Sequence, residues 1–83
     1  MHDSQLHNRL RPLRTARGLT QADLAARVGV SRKTINTVEN GVFIPSTLLA
    51  LKIAAALGEP VEAVFALEPF PALPDGGANG DTA

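Results

Sequence analysis

The chain has 83 residues, 45% hydrophobic and 19% charged, the composition of one small globular domain with no room for a second. It holds no Cys, which excludes a disulfide framework and a thiolate metal site, and three Phe with no Trp or Tyr, so the core must be aliphatic. The formal net charge is zero, yet seven of the eight Lys and Arg fall within residues 1–40 and five of the eight acids within residues 41–83, giving a basic half and an acidic half.

An aliphatic core favours helices packed on helices. Leu6, Leu10 and Leu13 form the apolar stripe of a first helix that ends near Gly18. Pro12 removes one backbone hydrogen bond, so this helix either kinks there or begins around residues 8–11. In "GLTQAD", Thr20 is a good N-cap with Asp23 three residues on, and a second helix runs to about Val28. Gly29 supplies a left-handed residue, and Ser31 caps a third helix that ends near Asn40 and Gly41. Two short helices joined through a Gly-containing turn make a helix-turn-helix pair. Pro45 and Ser46 then introduce a fourth helix, "TLLALKIAAAL", closed by Gly58. A short fifth helix opens with Pro60 at its first position and runs through Val61, Ala63, Val64 and Phe65. From Pro69 the composition turns rich in Pro and Gly, and the segment from Asp75 is expected to be disordered.

No unbroken apolar run is longer than that of residues 53–57, far short of the roughly 20 residues a membrane span needs. The opening "MHDSQLHNRL" has an early Asp and no apolar stretch, unlike a secretory signal, so the expected location is cytoplasmic. His2 and His7, five residues apart, do not suit a helical metal pair, and no Gly-rich phosphate loop or carboxylate pair accompanies them. An enzyme is not expected, nor a cofactor, a metal or a small-molecule ligand.

The third helix, "SRKTINTVENG", carries the functional signal. Ile35 and Val38 mark its buried side at about 100° per residue. Opposite them lie Arg32, Lys33, Asn36, Thr37 and Asn40, with two cations, two amides and a hydroxyl but no carboxylate. A merely solvated face usually mixes Glu with Lys. Arg and Lys match guanine, amides can pair with adenine, and a Thr methyl can meet that of thymine.

On these residues the chain resembles the Cro/CI-type, XRE-like helix-turn-helix regulators. The resemblance runs over residues 8–67 and rests on "NRLRPLRTARGLTQADLAARVGVSRKTINTVENG", then "PS" and "ALKIAAALG". It implies an all-α fold, a compact five-helix lambda-repressor-like DNA-binding domain over residues 1–68 with its motif at 20–40. Residues 69–83 form a C-terminal tail. The implied activity is that of a sequence-specific transcriptional regulator, a repressor, with residues 31–40 in the major groove of double-stranded DNA. The base-reading positions of the family match Ser31, Arg32, Lys33, Asn36 and Thr37. Its phosphate-binding positions match Gln21, Asn40 and the Gly41 amide, and Arg11, Arg17 and Arg27 either add phosphate charge or are simply solvated. The Arg on the first helix and the Glu near the end of the third, which pair in related domains, match Arg14 and Glu39. The chain departs from the pattern after "ENG", where "VFI" stands in place of a basic or polar residue.

The fourth helix raises the question of a partner. Leu49, Ile53, Ala54 and Leu57 suffice for one core face, and Leu48, Leu51 and Ala55 form a second apolar stripe. Either Phe65, Leu67 or Phe70 covers that stripe within the chain, or it is the interface of a symmetric homodimer with Phe70 and Leu73 lying across the partner. A dimer would set two recognition helices about 34 Å apart and make the operator a near-palindrome. The competing reading is an antitoxin or another protein-binding regulator that also binds its own operator, its acidic half facing a toxin or other protein partner.

Overall fold

A computed structural model describes residues 6–71. Leu73 and the segment from Asp75 lie outside the described residues. In chain order the elements are β1 (His7–Asn8), α1 (Leu10–Ala16), α2 (Gln21–Val28), α3 (Arg32–Glu39), α4 (Thr47–Leu57), α5 (Val61–Val64) and β2 (Phe65–Ala66). Five helices are present, as the resemblance implies. A short antiparallel pair is added to them, with His7 opposite Ala66 and Asn8 opposite Phe65.

Local chemistry explains each boundary. α1 starts at Leu10, so Pro12 is its third residue and falls in the first turn, where backbone N–H groups have no helical partner to lose. The chain neither kinks nor breaks. Leu6, read as part of this helix, precedes it and packs on the core from outside. Thr20 and Asp23 form a reciprocal capping box on α2. In that box the backbone N–H and hydroxyl of Thr20 hold the Asp23 carboxyl below its ordinary range. Gly29 closes α2 with φ of 79°, a left-handed conformation that costs a side-chain-bearing residue about 1 kcal/mol or more. Its N–H donates to the Ala25 carbonyl at 2.8 Å. Ser31 and Ser46 cap α3 and α4 by accepting from the backbone N–H of Thr34 and Leu49, each at 3.1 Å.

α5 is shorter than the sequence suggests. Pro60 is its N-cap rather than its first helical residue, and Phe65 leaves the helix for β2. Phe65 has φ −125° and ψ 143°, which lets its backbone pair with Asn8 while its ring stays buried. The N-terminal segment is stitched down at this point. Arg9 donates from its backbone N–H to Val64 at 3.0 Å and from Nε to the Ala63 carbonyl at 2.7 Å. Asn8 Nδ2 donates to the Val38 carbonyl at 3.0 Å, so β1 also holds the end of α3.

The core sits where α2 packs on α3 and α4, and α4 on α5. Leu10, Leu24, Ile35 and Ile53 are fully enclosed. Pro45, read only as a helix breaker, is also buried and fixes the entry into α4. Among the described residues no helix is long and apolar enough to cross a membrane.

Candidate nucleic-acid interface

The α2–turn–α3 unit presents one face of α3 outward because Ile35 and Val38 are drawn into the core. Ser31, Arg32 and Lys33, at the N-terminal end, are exposed, as is Asn40 at the C-cap, while Asn36 and Thr37 are half-buried between them. Arg32 and Lys33 are exposed, and among the described residues neither side chain has a hydrogen-bonding or ion-pair partner. Thr37 donates its hydroxyl to the Thr34 carbonyl at 2.9 Å, which leaves its oxygen free to accept and its methyl free to pack.

The single acid of α3 is withdrawn from this face. The Glu39 side chain has 0% exposure, and Arg14 clasps it with Nε 2.5 Å from Oε2 and Nη2 3.3 Å from Oε1. Such a fork fits the planar guanidinium to the planar carboxylate. Arg14 also donates from Nη1 to the Leu19 carbonyl at 2.8 Å, so α1, the turn before α2, and α3 meet at one side chain. Burial alone would push the Glu39 carboxyl up. Donation from Arg14, Gln21 and Arg11, together with the Arg14 charge, overrides it and holds the carboxyl below the ordinary 4.5.

Two further partners of Glu39 come from residues expected at phosphates. Arg11 Nε lies 3.2 Å from Oε1, and its Nη2 reaches Asn40 Oδ1 at 3.4 Å. Gln21 Nε2 donates to Glu39 Oε1 at 3.0 Å and to Asn36 Oδ1 at 3.2 Å. Both amide hydrogens of Gln21 are therefore engaged. Arg11, Gln21, Asn36 and Asn40 form one polar cluster around Glu39, which spacing along the sequence did not reveal.

The structure does not bring every expected residue into this cluster. Arg17 Nη2 sits 2.5 Å from Glu59 Oε2, so Glu59 neutralises its charge. The Gly41 N–H is committed to the Val38 carbonyl at 3.1 Å, and those of Val42 and Phe43 both donate to the Thr37 carbonyl. That run of internal bonds closes the end of α3 and takes the Gly41 amide out of use. Val42 and Ile44 stand exposed beyond it at 77% and 63%.

On α4 the second apolar stripe remains open: Leu48 is 64% exposed and Leu51 50%. Intrachain cover by Phe65, Leu67 or Phe70 is overturned. Phe65 turns into the core, Leu67 stands free at 84% exposure, and Phe70 lies under Arg9, whose guanidinium carbon is 4.8 Å from the ring centroid.

Comparison with known proteins agrees with this geometry. The model of the Helix-turn-helix family matches residues 10–64, the span from α1 to the end of α5. The chain belongs to the XRE-like helix-turn-helix regulators. It is 44% identical over 63 residues to an uncharacterized HTH-type transcriptional regulator of Methanocaldococcus jannaschii, a match covering 76% of this chain and 96% of the relative. An uncharacterized HTH-type transcriptional regulator of Methanothermobacter thermautotrophicus is 50% identical over 60 residues, 71% of this chain and 87% of that one. Among solved structures, the restriction-modification controller protein C.AhdI of Aeromonas hydrophila superposes with a TM-score of 0.64 at 42% identity, covering 66% of this chain and 83% of its own. A chain of this family is a transcriptional regulator with a DNA-binding fold and not an enzyme.

Proposed function

We propose that this regulator binds duplex DNA sequence-specifically, inserts α3 into the major groove, and acts as a homodimeric repressor on a near-palindromic operator in the cytoplasm. The observation that carries the reading is the outer face of α3, where Arg32 and Lys33 are exposed and the Glu39 side chain is enclosed. Phosphates repel exposed carboxylates, and this face has none. Ser31, Arg32, Lys33, Asn36 and Thr37 are its readers. Arg11 and Asn40 flank them toward the backbone of the DNA. Gln21 contributes through its backbone N–H in the first turn of α2, because its side-chain hydrogens are already used. Residues 1–68 are the binding domain in this reading.

The homodimer rests on the open stripe of Leu48, Leu51 and Ala55, spaced to share one side of α4. A two-fold axis through that stripe repeats α3 in the neighbouring half-site, so the operator carries the protein's symmetry.

Salt dependence tests the electrostatic part. If Arg11 of each protomer neutralises one phosphate, affinity falls by about tenfold or more between roughly 50 and 200 mM salt. Fluorescence anisotropy with a labelled duplex measures this directly. A flat response contradicts phosphate binding. Lys33→Ala is expected to relax preference at a particular base pair, which competition between duplexes varied at single positions would detect.

A further inference from the structure

Asn36 meets its surroundings with one end of its amide already used, and the neighbouring chemistry dictates which end. Glu39 is an acceptor only, since its carboxyl is held ionised in the Arg14 fork. The Gln21 atom 3.0 Å from Glu39 Oε1 is therefore the amide nitrogen. That nitrogen carries a second hydrogen, and the Asn36 atom 3.2 Å from it must accept, so it is Oδ1. Asn40 Nδ2 addresses the same oxygen from the next turn at 3.4 Å. Asn36 Oδ1 thus accepts twice and both of its lone pairs are filled. What remains is Nδ2 with two hydrogens, which has no acceptor among the described residues.

Turning the Asn36 amide over would set its nitrogen against two donors, Gln21 Nε2 and Asn40 Nδ2, and lose both bonds. Turning Gln21 as well would set its carbonyl oxygen against the Glu39 carboxylate. The chain of amides is polarised from its buried end.

We infer that Asn36 is a donor-only reader, selecting guanine over adenine at the base pair it meets. Bidentate pairing with adenine needs an amide oxygen to accept from N6 and an amide nitrogen to donate to N7. The oxygen is consumed inside the protein. Guanine presents N7 and O6, both acceptors, to the two hydrogens of Nδ2. Gln21 is then a positioning residue, setting specificity through Asn36 without touching the base. The inference rests on α3 entering the major groove, and it replaces the adenine pairing expected of a free amide.

The test uses paired duplexes that differ only at the base pair whose preference Asn36→Ala abolishes. The wild-type chain is expected to bind the guanine duplex about fivefold or more tightly than the adenine one. Gln21→Ala removes the shorter bond to Asn36 Oδ1, and the guanine-to-adenine ratio is expected to fall toward one. Any loss of phosphate contact in that variant affects both duplexes alike and cancels in the ratio. Gln21 is half-exposed, so the variant is expected to fold, and circular dichroism checks that. Preference for adenine at this position overturns the inference, as does Asn36→Ala weakening every duplex equally. A Gln21→Ala variant that keeps the full ratio overturns the relay. Failure of the wild-type chain to bind any duplex would instead refute the major-groove reading itself.

Discussion

Replacing Arg14 with Ala is expected to destabilise the domain by about 3–5 kcal/mol, the penalty of leaving an enclosed carboxylate without its main partner. Two observations set the size of this effect. The Glu39 side chain has 0% exposure, and Arg14, itself buried, supplies both arms of the fork plus the link to the Leu19 carbonyl. In a domain of this size the loss lowers the melting temperature by at least about 12 °C. Thermal unfolding followed by circular dichroism measures it. A shift within a few degrees would mean that water or Arg11 substitutes for Arg14, and that Glu39 is not anchored as described.

The same pair makes a prediction about pH. The folded state holds the Glu39 carboxyl below its ordinary 4.5, so its contribution to stability is fully present above that value. It is lost as the pH falls through the lowered folded-state value. Asp23, lowered by its Thr20 cap, adds in the same direction. The wild-type chain is therefore expected to lose stability on acidification below about 4.5, and Glu39→Gln to flatten that limb while the Asp23 part remains. Denaturant unfolding at a series of pH values checks both slopes.

Leu48→Asp is expected to weaken operator binding by about a hundredfold or more while leaving the monomer folded. The effect on DNA is large because two linked half-sites bind with an avidity that neither has alone. The effect on folding is small for two reasons. Leu48 is 64% exposed in the single chain, so little core contact is lost, and as the second residue of α4 an Asp there complements the positive end of the helix dipole. Sedimentation equilibrium should give a dimer for the wild-type chain and a monomer for the variant. A wild-type chain that stays monomeric at high concentration refutes the α4 interface, as would a variant that still dimerises.

Much of this molecule is legible along the chain because its signals are local. Thr20, Ser31 and Ser46 mark helix starts through hydrogen bonds spanning three residues, and Gly29 marks an end through its own backbone angle. Ile35 and Val38 fix the inward side of α3, which exposes the opposite side by geometry alone. Features that depend on distant residues were not legible from spacing. β1 and β2 are two residues each and too short for an alternating pattern, and their pairing depends on Phe65 leaving α5. Arg17 and Glu59 meet across 42 residues, which removes a charge that the sequence offers to phosphate. The resemblance suggested the meeting of Arg14 with Glu39. It gave no sign that Arg11 and Gln21 converge on the same carboxylate, because their contacts depend on how α1 and α2 cross α3. That convergence turns a row of polar residues into an ordered cluster.

The central claim is that α3 reads a specific duplex sequence as part of a symmetric dimer. Selection of bound sequences from a random duplex library tests it most directly. The expected product is a pair of inverted half-sites centred about 10 base pairs apart, with guanine at the position governed by Asn36. A pool that emerges without enrichment contradicts sequence-specific binding, and a single asymmetric element contradicts the dimer.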